Sequence, residues 1–136
     1  MGKDDWRTLL SSDGGLTVLY DEAPELSGRP LTTVHFSSED EGASLTMEFV
    51  LNAMPDNPPE EWVRSGANTV EFWLHFTPVH EVSMSGFVMG DACHVSMRQN
   101  VDASTSFEAV QPQAKFSLHA SEVRVARLRA FRAGAE

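Results

Sequence analysis

The 136-residue chain has one cysteine, ten basic residues against twenty acidic ones, and no long apolar run. Cys93 has no second thiol with which to form an intramolecular disulfide or a multi-thiolate zinc site. No segment approaches the roughly 18 uncharged apolar residues that span a bilayer. The start, Met1 to Trp6, lacks the apolar block of a secretory signal. We therefore expect a cytoplasmic protein that is stabilised mainly by packing.

The excess of acidic residues is concentrated in the first half of the chain. Residues 1–68 carry thirteen acids and four bases, whereas residues 69–136 carry seven acids and six bases. An acidic surface repels phosphates, so neither nucleic acid nor an anionic membrane is an expected partner. A basic protein would be attracted to the same surface. The arginines near the end alternate with apolar residues, which is typical of a solvated strand face.

The common catalytic and nucleotide-binding motifs are missing. Gly14-Gly15 is not followed by the Lys-Ser or Lys-Thr pair of a phosphate loop. Ser85-Gly86 and Ser11-Ser12 lack the Gly-x-Ser-x-Gly frame of a serine hydrolase. Cys93 and His94 are adjacent on a predicted strand and therefore point to opposite faces, which does not suit a thiolate–imidazole pair. We predict no catalytic residue, no metal ligand and no cofactor, and hence a protein that is not an enzyme.

Alternating apolar and polar residues predict a mainly β protein, with one domain over residues 1–136. The strongest signal places Val70, Phe72, Leu74 and Phe76 on one side of a strand. The predicted strands are Leu16–Tyr20, Thr33–Ser37, Ser44–Leu51, Thr69–Phe76, His80–Phe87, Cys93–Gln99, Thr105–Val110, Lys115–His119 and Ser121–Arg132. About eight or nine short strands with one or two short helices indicate an antiparallel sheet or a β-sandwich, at the margin of α+β.

Four local features interrupt or modify this alternation. Lys3–Leu10 has the spacing of two helical turns. Asn52–Gly66 contains three prolines and is predicted to be a loop, with one helical turn starting at Pro59. Thr77-Pro78 should end a strand because proline lacks the N–H that a sheet needs. In Ser121–Arg132, the step from Val125 to Leu128 breaks the period of two, which favours a bulged strand over a helical turn.

The order of these segments resembles the immunity protein 50 family. The resemblance runs from residue 6 to about residue 131. It rests on Trp6, the strands around Leu31–Phe36 and Leu45–Leu51, the loop sequence Met54-Pro55-Asp56-Asn57-Pro58-Pro59-Glu60-Glu61-Trp62, the strand Asn68–Phe76 and the segment Val79–Phe87. It implies a bacterial polymorphic-toxin system, in which the immunity protein binds and neutralises a cognate toxin inside the producing cell. It brings no catalytic residue with it.

The resemblance implies that the partner is a cognate toxin. A basic nuclease is one kind of toxin that would suit an acidic inhibitor. Acidic side chains would occupy the place of substrate phosphates, and an exposed tryptophan would anchor the contact. The predicted contact residues are Asp21, Glu22, Glu25, Glu39, Asp40, Glu41, Glu60, Glu61, Trp62 and Trp73.

Two alternatives belong to other classes. Glu48, Glu71, His75 and His35 fall on the polar sides of neighbouring predicted strands and could form a polar cluster on the solvent side of the sheet. One alternative is a small-molecule-binding or enzymatic β-domain whose site lies between sheet faces, with Glu71 and His75 as its polar groups. A structural homodimer that pairs edge strands is the other.

Overall fold

The computed structural model describes residues 5–31, 33–39 and 42–134, which form seven strands in one antiparallel sheet. The spatial order is β1-β5-β6-β7-β4-β3-β2. The strands are β1 (Arg29–Pro30), β2 (Val34–Glu39), β3 (Gly42–Leu51), β4 (Thr69–Ser85), β5 (Ala92–Gln99), β6 (Thr105–Gln111) and β7 (Ala114–Phe131). The predicted mainly β, antiparallel architecture is confirmed.

Strands β4 and β7 are long and pair with each other from Thr69↔Phe131 to Ser85↔Lys115. The sheet curves along this pair. Phe76 lies opposite Val123, and Phe107 of β6 lies opposite Leu118, so the two phenylalanines are offset by about 16 Å along β7 at 3.3 Å per residue. Their ring centroids are nevertheless only 5.6 Å apart. One half of the sheet therefore folds toward the other and encloses an apolar core.

The core is lined by the alternating residues of the central strands and covered by the first part of the chain. Phe49, Phe72 and Phe76 are fully buried or nearly so. Trp6 stacks on Phe72 at 5.9 Å and donates its indole N–H to the carbonyl of Pro24. Trp6 thus contacts the sheet core, and Cys93 is also buried.

The first two predicted elements need correction. Lys3–Leu10 contains only a 3-10 turn, Trp6–Leu9, and Lys3 lies outside the described residues. Leu16–Tyr20 is not a strand, because Leu16–Leu19 is a short helix, α1. The Asp13 carboxylate accepts hydrogen bonds from the backbone N–H groups of Gly15 and Thr17, which caps this helix.

Gly14 is required by its surroundings as well as by its backbone. Its φ is +60°, and a Cβ at this position would lie 2.7 Å from a methyl carbon of Val125. The double glycine therefore allows the chain to turn directly against β7 before α1 begins.

The predicted break at Thr77-Pro78 is wrong, since β4 continues through it to Ser85. β3 pairs with β4 only as far as Phe76, and the β4–β7 register gives partners to Thr77 and Val79 on either side of Pro78. The proline therefore sits where β3 no longer needs a ladder donor. His80–Ser85 consequently joins β4, and Lys115–His119 joins the last strand to make β7. These two mergers and the loss of the strand at Leu16–Tyr20 reduce the nine predicted segments to six, and β1, which was not predicted, brings the count to seven.

The bulge predicted after Val125 is confirmed. Trp73 lies opposite Arg127 and Leu74 lies opposite Val125, so Ala126 is the extra residue. The bulge keeps Val125 and Leu128 directed to the core while Arg127 points away from it. The second predicted helical turn is also confirmed as α2 (Glu60–Arg64).

Arg7 joins the start of the chain to the segment that follows α1. Its side chain is 8% exposed and pairs with Asp5 at 2.8 Å. It also donates to the carbonyl of Tyr20 at 2.7 Å. The hydrogen bonds from Arg7 hold the pKa of the Asp5 carboxyl below its ordinary value.

We predict that Arg7→Met lowers the free energy of unfolding by about 2–3 kcal/mol, because it removes charge-assisted hydrogen bonds to a buried guanidinium. Urea denaturation near neutral pH measures the change. Arg64→Met is the matched control, since its pair with Glu60 spans 3.7 Å between exposed side chains and should contribute about 0.5 kcal/mol or less. Equal losses in the two variants would contradict the prediction. Ionised Asp5 also contributes to the free energy of unfolding. This contribution is complete at pH values above the ordinary carboxyl pKa, and it is lost as the pH falls through the lowered pKa of Asp5 in the folded protein.

Candidate partner-binding surface

Hydrogen bonds hold the end of α1 against the proline-rich loop that leads into α2. The backbone N–H of Asn57 donates to Leu19 O at 2.9 Å, and its side-chain amide donates to Val18 O and to an Asp21 carboxylate oxygen. The Asp21 N–H in turn donates to the Asp56 carboxylate at 2.9 Å. Segments far apart in the sequence therefore place Asp21 and Asp56 together.

Two exposed valines accompany these acids. Val18 on α1 is 74% exposed and Val63 on α2 is 62% exposed. Glu60 and Glu61 occupy the first turn of α2, where the helix dipole favours negative charge. We call the set Val18, Asp21, Glu22, Asp56, Glu60, Glu61 and Val63 the acidic surface. It combines apolar side chains with carboxylates, which suits a protein partner.

The structure distributes the other predicted contact residues over separate regions. Trp62 is half-buried and packs against the core, so it fixes α2 to the body of the protein. Glu25 lies near β5, where its carboxylate accepts from the Ser27 N–H and its carbonyl accepts from Arg29. Glu39 ends β2 opposite Gly42 of β3, and Asp40 and Glu41 lie outside the described residues.

Trp73 lies on the side of the sheet that faces away from the core. The register places it between Glu48 and Arg127. It is half-buried, and its indole N–H is buried without a hydrogen-bond partner among the described residues. Trp73 and Trp62 are therefore on different parts of the molecule.

The polar residues of the enzymatic alternative share this face, as predicted, but the expectation that they lie on its solvent side is wrong for Glu71. The Glu71 side chain is 7% exposed and forms an ion pair with Arg129. The guanidinium carbon of Arg129 also lies 5.1 Å from the centroid of the Phe131 ring. His75 meets the Thr46 hydroxyl at 2.9 Å. These groups are bonded within the sheet.

Val18, Val63 and Asp56 were not among the residues predicted for the site. Asp56 could have been found from its place in the acidic loop beside Glu60. Val18 could not, because the strand expected at Leu16–Tyr20 gives it the same face as Leu16. In α1 it instead points away from the buried Leu16 and Leu19.

Tyr20 lies beneath the acidic surface. It is 9% exposed, and its hydroxyl is buried with no partner in the described part of the chain. Burial raises the pKa of Tyr20 to about 12, with the charge of Arg29 opposing and that of Asp56 adding to the shift. The phenol is therefore neutral across the ordinary pH range.

Two clefts lie away from Glu71 and His75, the residues predicted for an enzymatic site. One of 510 Å³ lies between Trp6 and the edge of β5 and includes Glu25. The other, of 330 Å³, lies beside Val88 and Gln111. Neither is lined by Glu71 or His75. Within residues 5–31, 33–39 and 42–134, no cluster of three or more His, Cys, Asp or Glu side chains has the arrangement of a metal site.

These features define a small antiparallel β protein with a mixed acidic and apolar surface at one end of its sheet. The chain belongs to the immunity protein 50 family, whose model matches residues 15–131. Comparison with curated proteins and with solved structures gave no match. None of the described helices has the length and apolar character needed to cross a membrane.

We predict that the free energy of unfolding of the wild-type protein falls at high pH because of Tyr20, and that Tyr20→Phe abolishes this fall. In the unfolded chain Tyr20 ionises near its ordinary pKa of 10, whereas the folded state keeps it neutral to about 12. The stability from neutral Tyr20 is complete below pH 10 and is lost as the pH rises toward 12, by about 1.4 kcal/mol per pH unit. Urea midpoints of the two proteins should diverge over this interval.

Since Tyr20 is the single tyrosine of the chain, the ultraviolet absorbance of the phenolate gives its pKa directly. Below pH 10 the phenylalanine variant should be at least as stable, because it removes a buried hydroxyl that lacks a partner. A wild-type tyrosine that titrates near its ordinary pKa would contradict the prediction.

We predict that Arg129→Met lowers the free energy of unfolding by about 1–2 kcal/mol, because it removes the counter-charge of the buried Glu71 carboxylate from a pair that the half-exposed Arg129 leaves partly screened by water. Adding Glu71→Gln should recover part of the loss by removing that charge. Arg127→Met is the control, since Arg127 is exposed and no ion pair is described for it. If Arg127→Met destabilises the protein as much as Arg129→Met, the ion pair is not the cause.

Proposed function

We propose that this protein binds a cognate toxin through the acidic surface and neutralises it by covering the toxin's functional site. The family supports the class of function. The observation that carries the choice of surface is the grouping of Asp21 and Asp56 by hydrogen bonds, together with the exposure of Val18 on α1 and of Val63 on the helix that follows the Asp56 loop.

Charge supports a role for this surface in association. The chain has a net charge of −10, and its first half carries most of the excess. Long-range attraction toward a basic toxin raises the association rate, and the rate then falls as salt screens the field. Carboxylates are suitable substitutes for phosphates at a nuclease site because both present anionic oxygens to the same cations.

The apolar residues supply a separate part of the binding energy. A carboxylate on the rim changes mainly the association rate, whereas side chains that become fully covered control dissociation. Val18 and Val63 are the exposed apolar side chains nearest to these acids along the chain. Glu60, Glu61 and Asp21 would then form the polar rim around them.

The test is binding to the toxin domain encoded by the neighbouring reading frame. Glu60→Lys with Glu61→Lys should lower the association rate constant at least tenfold at about 0.05 M salt and much less at about 0.5 M, where the Debye length is only a few ångströms. Stopped-flow or surface-based kinetics at several salt concentrations measure the change.

Asp91→Lys with Glu122→Lys is the matched control. Both side chains are exposed and lie outside α1, α2 and the loop between them, and the double variant changes the net charge by the same amount. Equal slowing by the two variants would show that net charge alone controls association. An unchanged rate in the Glu60 and Glu61 variant would overturn the assignment to this surface.

Val63→Ser tests the apolar part of the same surface. It should raise the dissociation rate constant by roughly tenfold, about 1.4 kcal/mol, without changing the salt dependence of association. A variant that releases the toxin at the wild-type rate would place the apolar contact elsewhere.

A further inference from the structure

One edge of β4 is open beyond Phe76. The β3–β4 register ends at Leu45↔Phe76, whereas the β4–β7 register continues to Ser85↔Lys115. In the described part of the chain, no strand pairs with the other side of Val79–Ser85. The backbone groups along that side are therefore available to an added strand.

The edge carries a register irregularity between Val79 and Glu81 and one charged residue, Glu81, whereas Val82–Ser85 beyond them lacks such protection. All six residues from His80 to Ser85 are exposed. Val82 is 37% exposed and Met84 is 44% exposed. They lie opposite Leu118 and Phe116, which are buried, so an apolar row of the core continues to the edge. No charged residue occurs between Val82 and Ser85.

We propose that β4 pairs with β4 of a second copy of this chain, antiparallel and around a two-fold axis at Ser83. This register places Val82 opposite Met84 of the second copy, and the symmetry repeats the apolar pair on the other side of the axis. Glu81 falls opposite Ser85 of the second copy, next to its Lys115. No two like charges face each other, so the edge is complementary to itself.

The location of this edge leaves the acidic surface free. α2 precedes the first residue of β4, whereas Val82–Ser85 ends the same 17-residue strand. A second copy at this edge therefore leaves the acidic surface uncovered. Two chains of net charge −10 repel each other, so added salt should strengthen the dimer, although it weakens the attraction to a basic toxin.

A single pair of short strands buries less area than a standard interface, and we expect a dissociation constant of roughly 10–100 µM. Sedimentation velocity and light scattering over a wide concentration range should show a dimer whose proportion rises between about 0.05 and 0.5 M salt. Val82→Lys with Met84→Lys places two lysines on each edge and should weaken the dimer at least tenfold.

Val101→Lys is the matched control, because Val101 is fully exposed in the loop between β5 and β6. It should leave dimerisation unchanged. Circular dichroism and urea midpoints verify that all variants are folded. A wild-type protein that stays monomeric at about 1 mM, far above the expected constant, would overturn the proposal. So would a dimer that persists in the Val82 and Met84 variant, or one that salt dissociates.

Discussion

The continuous pairing of β4 with β7 determines where every other element can lie. The ladder runs from Thr69↔Phe131 to Ser85↔Lys115 and carries the curvature that brings Phe76 to Phe107. β3 can follow β4 only up to Phe76, and β6 can follow β7 only from Gln111↔Ala114 to Thr105↔Ala120. Each long strand thus has one edge that its sheet neighbour leaves open. At β7, residues 10–12 cover part of that edge: the Ser11 N–H donates to Val123 O and the Val125 N–H donates to Ser12 O.

The sequence predicted the fold best in segments where buried and exposed side chains alternate strongly. β3 and the first half of β4 were predicted well, because one face of each is buried and the side chains alternate accordingly. The bulge at Ala126 was visible because it breaks that period. The prediction of a strand at Leu16–Tyr20 was wrong, because a five-residue segment rich in apolar side chains fits a strand and a helix equally well. The Asp13 cap and the close approach of Gly14 to Val125 decide between them, and the second of these is a tertiary contact. The effect of Pro78 was misjudged, because a proline weakens a strand only where a neighbouring strand needs a backbone N–H at that position.

The same distinction applies to the candidate site. The acidic character of residues 21–22 and 60–61 is a property of composition and could be stated in advance. The exposure of Val18 could not, because it follows from the helical period of α1, which buries Leu16 and Leu19 and turns Val18 outward. Glu71 shows the reverse error. Its position on the outer side of the sheet was correct, yet it is buried and paired with Arg129, and a partner 58 residues away is not visible in a local pattern.

The two proposed contacts depend on different interactions, and they lie at different places along β4. The acidic surface relies on a field that acts at long range and on side chains that a partner must cover. The open edge of β4 relies on backbone groups and a short apolar row, and it works only at contact distance. Since they lie at opposite ends of one strand, a second copy at the edge would carry its own acidic surface outward. A dimer of this kind holds two acidic surfaces in a fixed relation, so a toxin that is itself dimeric would gain effective concentration from the second contact. A monomeric toxin would gain nothing, because each acidic surface would bind it independently.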